Sequence, residues 1–222
     1  QPDLRTGKLE MSITAVARQS CVFGPNLELR RTISSTLGEP ALRLRDVVTN
    51  VGNTRTPHML LYHCNLGWPL VDEGAKLVWK GEWASRGLDM DNEIFNSDRD
   101  FRTCQAPSDS HRGAGEACGF IDVTPDKDGT CTVGLHNERI GLALAIRYKK
   151  KQLPSLANWQ HWGPGEYVTG LEPGTNPPVG QAMAREQDRL LHLDPGKSRT
   201  YQLEFRVLTD EKDIRQFLKA AQ

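Results

Sequence analysis

Short apolar or alternating runs, separated by turn residues, make up most of the chain. Residues 27–34 show the alternation clearly, with Leu27, Leu29 and Ile33 on one side of a strand. Nine similar runs, each predicted as a β-strand, cover residues 9–16, 42–48, 59–63, 76–79, 117–123, 131–136, 141–147, 167–171 and 201–208. Short strands at fairly even intervals are typical of an antiparallel sandwich or barrel rather than of alternating strands and helices.

Helical periodicity is clearest at the C-terminal end of the chain. Over residues 211–221, Ile214, Phe217 and Leu218 fall on one face of a helix, at spacings of three and four residues. The pattern therefore predicts an all-β fold, a large antiparallel β-sandwich with a short C-terminal helix. No internal repeat or long linker divides it, so residues 1–222 are predicted to form a single domain.

Two turn-rich segments interrupt this pattern. Residues 85–116 are polar and are predicted to form a long excursion over one end of the sheet. Residues 153–178 are predicted to be a loop, and they hold Trp159, Trp162 and Tyr167 among prolines and polar residues. Aromatic side chains in a loop either cap the core or meet a flat, partly apolar ligand, and their proximity to a His and a Glu favours the ligand.

Composition and charge exclude several classes of protein. The chain has 222 residues, of which 37% are hydrophobic and 25% charged, so it can bury a core. Its 28 basic and 28 acidic residues balance, which argues against a nucleic-acid partner because phosphate binding needs clustered Lys and Arg. No apolar run is long enough to span a membrane, and the first residues lack the layout of a secretory signal.

The five cysteines are odd in number and show no C-x-x-C spacing. A structural zinc site needs paired ligands at close spacing, and a disulfide framework favours an even count. Free thiols in a reducing compartment are the simplest interpretation, and we expect a cytoplasmic protein.

Two segments carry residues suited to proton transfer. The first, residues 60–70, contains His63 and Asn65, which face the same side if the segment is extended. The second, residues 159–180, contains Glu172 at the end of an apolar run and the start of a Pro/Gly turn. A carboxylate there would be partly desolvated and its pKa raised toward the range of a general base. A half-buried structural His and an exposed turn Glu are the competing interpretations.

The order of these segments resembles the galactose-mutarotase-like (aldose 1-epimerase) superfamily. The resemblance rests on the His63-Cys64-Asn65-Leu66-Gly67 segment, an aromatic after residues 153–156, the Glu172-Pro173-Gly174-Thr175-Asn176 turn, and residues 193–196 before the last strand. It extends from about residue 24 to residue 208. Members of the superfamily normally have further strands ahead of the point where this chain begins, so the chain is expected to lack the N-terminal strands of the fold.

The resemblance implies a sugar-handling cleft on an antiparallel sandwich. Glu172 matches the general base and His63 the general acid of an aldose 1-epimerase, which interconverts sugar anomers without a metal or nucleotide cofactor. Trp159 and Trp162 would stack on the sugar, and Asn65, His161 and Arg185 would bind its hydroxyls. The partner is then a small-molecule sugar, and the sequence is silent on the number of subunits.

Other functions compete with this one. A non-catalytic carbohydrate-binding protein on the same fold would keep the two tryptophans without needing Glu172. A different sugar isomerase or lyase would use Tyr62, Tyr167 or a metal, and a purely structural protein would bind no sugar at all.

Overall fold

The computed structural model describes residues 1–96, 98 and 100–221. It divides into two compact units. Unit 1 comprises Gln1–Leu60 and Val179–Arg206, and unit 2 comprises Leu61–Pro178 and Val207–Gln222. Each unit is built mainly of antiparallel strands.

The strands, in chain order, are β1 (Glu10–Ser20), β2 (Asn26–Thr36), β3 (Ala41–Asn50), β4 (Thr56–His58), β5 (Asn65–Leu66), β6 (Lys76–Val78), β7 (Gly81–Ser85), β8 (Ala117–Val123), β9 (Thr130–Asn137), β10 (Leu142–Lys149), β11 (Ser155–Gly163), β12 (Glu166–Gly174), β13 (Leu191–Leu193) and β14 (Ser198–Leu208). The α-helices are α1 (Asp89–Ile94), α2 (Gln181–Glu186) and α3 (Glu211–Ala220). Short 3-10 turns cover Asp109–His111 and Glu138–Ile140.

In unit 1, β1, β2, β3 and β14 lie side by side in that order, each antiparallel to its neighbour. β4 and β13 form a separate two-stranded ribbon. The buried Asn50 side chain donates to the carbonyls of Thr54 and Leu193, at 2.7 and 2.8 Å, and so secures the chain as it leaves β3. This satisfies a buried polar group that would otherwise be costly.

In unit 2, one sheet has the strand order β5, β12, β11, β8, β7, and β10, β9 and β6 pair in a second group. Helix α3 begins at Asp210, whose side chain accepts hydrogen bonds from the backbone amides of Lys212 and Asp213. Ile214 and Phe217 of α3 are buried in an apolar cluster with Ala143 and Ala145 of β10. The mostly antiparallel β fold and the C-terminal helix predicted from the pattern are confirmed.

Nine of the ten predicted strands coincide with observed ones, with ends that differ by a few residues. The prediction for residues 59–63 is wrong: this segment lies between β4 and β5 and makes only an isolated bridge, from Leu61 to Gly174. The loop predicted over residues 153–178 is also wrong, since β11 and β12 form a hairpin there. Both faces of β11 are largely buried, so the strand lacks the apolar-polar alternation that identifies a half-exposed strand.

Candidate functional site

The β11–β12 hairpin places most of the candidate residues on one face of its sheet. Directly paired residues of antiparallel strands point to the same side. The pairs Ala157–Glu172, Trp159–Gly170 and His161–Val168 therefore form one row along this face. Asn65 of β5 pairs with Gly170 and belongs to the same row. This set of residues is called the hairpin face below.

Backbone hydrogen bonds hold His63 beside Glu172. The amide of Tyr62 donates to the Pro173 carbonyl at 2.9 Å, and the amide of Leu171 donates to the Cys64 carbonyl at 3.1 Å. The segment around His63 is therefore aligned with β12 although it is not itself a strand. As a result, His63 Nε2 lies 2.9 Å from Glu172 Oε1.

The two members of this pair differ in their environment. The Glu172 side chain is 4% exposed, whereas that of His63 is 51% exposed. Burial raises the pKa of the Glu172 carboxyl; His63 opposes the rise and Glu116 adds to it. Glu172 Oε1 accepts no well-aligned hydrogen bond, so its short distance to His63 Nε2 is an ion pair only when the imidazole is protonated. The carboxylate is therefore desolvated and lies beside the imidazole of His63.

Asn65 orients the imidazole of His63. The two side chains meet at 2.7 Å between His63 Nδ1 and Asn65 Oδ1. Because an amide oxygen only accepts, Nδ1 carries the proton in this contact and Nε2 faces Glu172. Asn65 was expected to bind a sugar hydroxyl, and in this structure its carbonyl oxygen contacts His63 instead.

Gly170 leaves room for the Glu172 carboxylate. A Cβ atom at this position would lie 2.4 Å from Glu172 Oε1, which is far inside van der Waals contact. The carboxylate thus lies across the bare backbone of its own strand. Glycine in a strand interior often marks such a close approach.

The indole of Trp159 is held by a chain of charged residues. Its Nε1 donates to Glu116 Oε2 at 2.5 Å, and Arg86 Nη1 donates to the other oxygen of Glu116 at 2.8 Å. Arg86 also binds the fully buried Asp91 through two hydrogen bonds of 2.9 Å. The Trp159 ring then meets His63 edge-on, with centroids 5.7 Å apart. These contacts fix the orientation of an aromatic surface beside the His63–Glu172 pair.

A pocket of about 310 Å³ lies on the same unit, lined by Gly113, Ala114, Gly115, Glu116, Trp159, His161, Glu166 and Val168. The His161 ring is parallel to that of Trp159 within 7°, with centroids 5.8 Å apart. Its Nδ1 contacts the Gly115 carbonyl at 2.5 Å and its Nε2 lies 3.2 Å from Glu166 Oε2. His161 is therefore next to Trp159, but its side chain is buried and both of its ring nitrogens contact protein oxygens, so its binding of a sugar hydroxyl stays a prediction.

Trp162 does not belong to the hairpin face. Its side chain is fully buried, its indole Nε1 donates to Gln160 Oε1 at 3.1 Å, and its ring packs on Tyr167. Positions 159 and 162 have opposite parity on a strand, so their side chains point to opposite faces. The expectation that Trp162 stacks on a ligand is corrected, because it is a core residue.

Arg185 lies in helix α2 of unit 1, and its Nη2 donates to Gln181 Oε1 at 3.3 Å. The contact is local to one turn of the helix and gives no support to a role in ligand binding. Its assignment to a sugar hydroxyl stays a prediction.

Four residues of the site went unrecognised in the sequence: Arg86, Asp91, Glu116 and Glu166. The first three lie in or beside the polar segment 85–116, which the pattern predicts only as an excursion. The only sequence feature of this segment that points to a site is its many acidic residues, and this feature does not indicate which of them contacts Trp159. Their convergence depends on contacts between residues distant in sequence.

Within the described part of the chain, no group of three or more His, Cys, Asp or Glu residues is arranged to hold a metal ion. None of its helices has the length and apolar character needed to cross a bilayer. All five cysteines are present as free thiols. Burial raises the pKa of Cys118, which pairs with Trp159 across β8 and β11, to about 12, so it stays protonated at neutral pH.

Comparison with solved structures gives the fold. A Klebsiella pneumoniae protein provisionally named an aldose 1-epimerase aligns with a TM-score of 0.86 and 23% identity over 95% of this chain. A galactose mutarotase-like protein from Clostridium acetobutylicum aligns with a TM-score of 0.61, at 9% identity over 90% of the chain. A provisionally named aldose 1-epimerase from Escherichia coli K12 gives 0.60, at 14% identity over 90%.

The chain spans 54%, 63% and 66% of the lengths of these three proteins, respectively. A search of curated proteins gave no match. In sequence, residues 2–207 match the family model described as "Domain of unknown function (DUF4432)". The chain thus belongs to the DUF4432 family, and its fold is that of the galactose-mutarotase-like proteins.

Proposed function

We propose that the protein is an aldose 1-epimerase-like isomerase in which Glu172 is the general base and His63 the general acid. The observation that carries the proposal is the 2.9 Å contact between the two side chains on the face that also holds Trp159. A positioned acid and base of this kind suit a reaction made of proton transfers. The fold shared with mutarotase-like proteins supports the same conclusion.

The reaction requires a deprotonated carboxylate and a protonated imidazole at its start. Glu172 removes the proton from the anomeric hydroxyl while His63 donates one to the ring oxygen, and the bond between C1 and that oxygen breaks. The open-chain aldehyde rotates about its C1–C2 bond. The ring oxygen then attacks the other face of C1, its proton returns to His63, and Glu172 returns a proton to the anomeric oxygen.

The contacts of His63 and Glu172 support these roles. The bond to Asn65 keeps the His63 Nδ1 proton in place and directs Nε2 toward Glu172. Burial raises the pKa of Glu172, which makes the carboxylate a stronger base than an exposed one. Trp159 offers an aromatic face next to the pair, on which the apolar side of a sugar ring can stack.

The side chains of His63 and Glu172 are in direct contact in this structure, with no space for a sugar ring between them. A pyranose must therefore displace His63, whose side chain is half exposed and can move more easily than the buried Glu172. This direct contact favours one alternative function, that of a carbohydrate-binding protein that does not turn over its ligand. Such a protein would bind sugar without separating the pair.

A tyrosine-based isomerase or lyase is less well supported. Tyr62 is buried, and the Tyr167 hydroxyl donates to the Gln105 carbonyl. Burial also raises the pKa of Tyr167, so its hydroxyl is a poor source of a phenolate at neutral pH.

Anomer exchange measured by NMR across a panel of free aldoses tests the proposal. We expect Glu172→Gln to lower the exchange rate by about 10²–10⁴-fold, because it removes the base while nearly preserving shape. Binding of the sugar should persist, since Trp159 is untouched. Glu138→Gln, on the exposed Glu138, is the matched control and should exchange at the wild-type rate.

A wild-type protein that binds an aldose without accelerating exchange would instead identify a carbohydrate-binding protein. Equal exchange rates for Glu172→Gln and the wild type would remove Glu172 from the mechanism.

A further inference from the structure

The pocket beside His161 lies some distance along the hairpin face from Glu172. Glu172 pairs with Ala157, and Val168 pairs with His161, so the two ends are separated by four residues along β11. At about 3.3 Å per residue this spacing is about 13 Å. That length exceeds one pyranose ring and suits two linked rings.

Trp159 lies between the two ends of this face and contacts residues at each of them. Its ring contacts His63 at the Glu172 end, and it also lines the pocket together with His161. The rings of Trp159 and His161 are stacked, with planes parallel within 7° and centroids 5.8 Å apart. A ligand that extends from one end to the other would pass Trp159 in the middle of the face.

The remaining lining of the pocket suits a neutral polyol. Val168 supplies apolar surface, while Glu116 and Glu166 supply carboxylate oxygens that accept hydrogen bonds from hydroxyls. The Glu166 side chain is 51% exposed, and its contacts with His161 and the Gly113 amide use one oxygen, Oε2. None of the described residues that line the pocket is Lys or Arg, and the two glutamates in the lining disfavour an anionic substituent.

The pocket has a volume of about 310 Å³, within the range of small-ligand sites. It is not needed for proton transfer at the anomeric carbon, which takes place at the other end of the face. We infer that it is a second sugar subsite, and that the preferred substrate is a neutral reducing disaccharide whose non-reducing ring occupies it. This inference rests on the proposed function, because it assumes that the reducing ring lies at Glu172 and His63.

Binding of methyl glycosides tests the subsite without requiring any reaction, since a methyl glycoside has no free anomeric hydroxyl. Calorimetry would compare methyl β-glucoside with methyl β-cellobioside, methyl β-maltoside and methyl β-lactoside. We expect at least one disaccharide glycoside to bind about ten-fold or more tightly than the monosaccharide. Equal affinities across the set would overturn the inference.

A substitution that fills the pocket tests whether the tighter binding of disaccharide glycosides arises there. Val168→Phe adds a bulky ring to a half-buried lining position on a strand, where aromatic residues are well accepted. We expect it to abolish the preference for the disaccharide glycoside. The matched control is Val207→Phe, at a position that is 41% exposed and should keep the preference. A preference that survives Val168→Phe would place the second ring elsewhere and refute the assignment.

The two proposals fail in different ways. If the disaccharide glycosides bind more tightly but neither glucose nor cellobiose shows Glu172-dependent anomer exchange, the subsite stands and the epimerase proposal falls. If exchange depends on Glu172 but is equally efficient for glucose, cellobiose, maltose and lactose, the epimerase proposal stands and the subsite falls. The ratio of disaccharide to monosaccharide exchange efficiency in the Val168→Phe protein provides a second, independent readout.

Discussion

Glu116 connects a buried ion pair to the aromatic surface of the site. One of its oxygens accepts from Arg86 and the other from the Trp159 indole. Although burial raises the pKa of Glu116, its hydrogen bonds with Arg86 and Trp159 lower it overall, so it stays ionised at neutral pH. Its charge in turn adds to the raised pKa of Glu172. We therefore expect Glu116 to position Trp159 and to raise the pKa of the general base, Glu172.

Substitution of Glu116 separates these two effects. Glu116→Gln removes the charge but keeps an acceptor for the indole, so the pKa of Glu172 should fall. Because the base must be deprotonated, the acid limb of the pH–rate profile should move to lower pH. Glu116→Ala removes the acceptor as well, and KM should rise several-fold as Trp159 loses its orientation.

The pH dependence of kcat and the value of KM for both proteins check this prediction, with Glu138→Gln as the charge control. A merely structural role would change stability and leave the acid limb where it is. An unchanged acid limb in Glu116→Gln would therefore contradict the tuning of Glu172.

At the scale of elements, the β11–β12 hairpin organises the site. Its register determines which side chains share the hairpin face, and a shift by one residue would move Trp159 and Glu172 to the opposite side. The bonds from Tyr62 and Cys64 to β12 then bring in His63. A rigid paired element thus carries the base, while the acid lies on an extended segment with fewer backbone bonds.

Gly170→Ala tests the close approach on β12. The new methyl group would overlap the buried end of the Glu172 side chain, which must leave its present conformation. We expect a loss of stability of about 1–3 kcal/mol, the usual cost of overpacking a buried site. Activity should fall by about 10²-fold or more, because the base leaves its position. Thermal unfolding and kcat/KM measured on the same protein check both parts.

Gly67→Ala is the matched control, since a Cβ at Gly67 meets nothing within 4 Å. Full activity in Gly170→Ala would show that the observed position of Glu172 is not required for the reaction.

At the scale of the whole molecule, a buried histidine makes stability depend on pH. His58 is 2% exposed, and its Nε2 lies 2.8 Å from the Tyr201 hydroxyl. Burial lowers the pKa of His58 from 6.5 to about 4, and Arg199 adds to the fall. In the unfolded chain the same side chain gains its proton near pH 6.5.

The unfolded state therefore binds the proton first as the pH falls. The free energy of unfolding should drop by up to about 3 kcal/mol as the pH falls from about 6.5 to 4. The stability that comes from burying His58 as the neutral form is fully present above pH 6.5. Denaturant unfolding at a series of pH values measures it. His58→Phe should flatten this part of the curve, whereas the control His192→Gln should not. A wild-type curve without slope in this window would contradict the assignment.

The sequence by itself determined the strand-rich architecture, the C-terminal helix and the types of residue that could transfer protons. Local patterns suffice for these, because periodicity reports which face of an element is buried. Local patterns failed for β11, because a strand with two buried faces shows no alternation of apolar and polar residues. They also failed for Trp162, which was grouped with Trp159 because the two are close in sequence, although their side chains point to opposite sides.

Only the tertiary structure decided which of the candidates meet. The contacts of His63 with Glu172 and of Trp159 with Glu116 join residues far apart in the chain. Such contacts depend on strand pairing and register, which no local pattern specifies. The raised pKa of Glu172 has the same origin, since it reflects burial that arises only when the strands assemble.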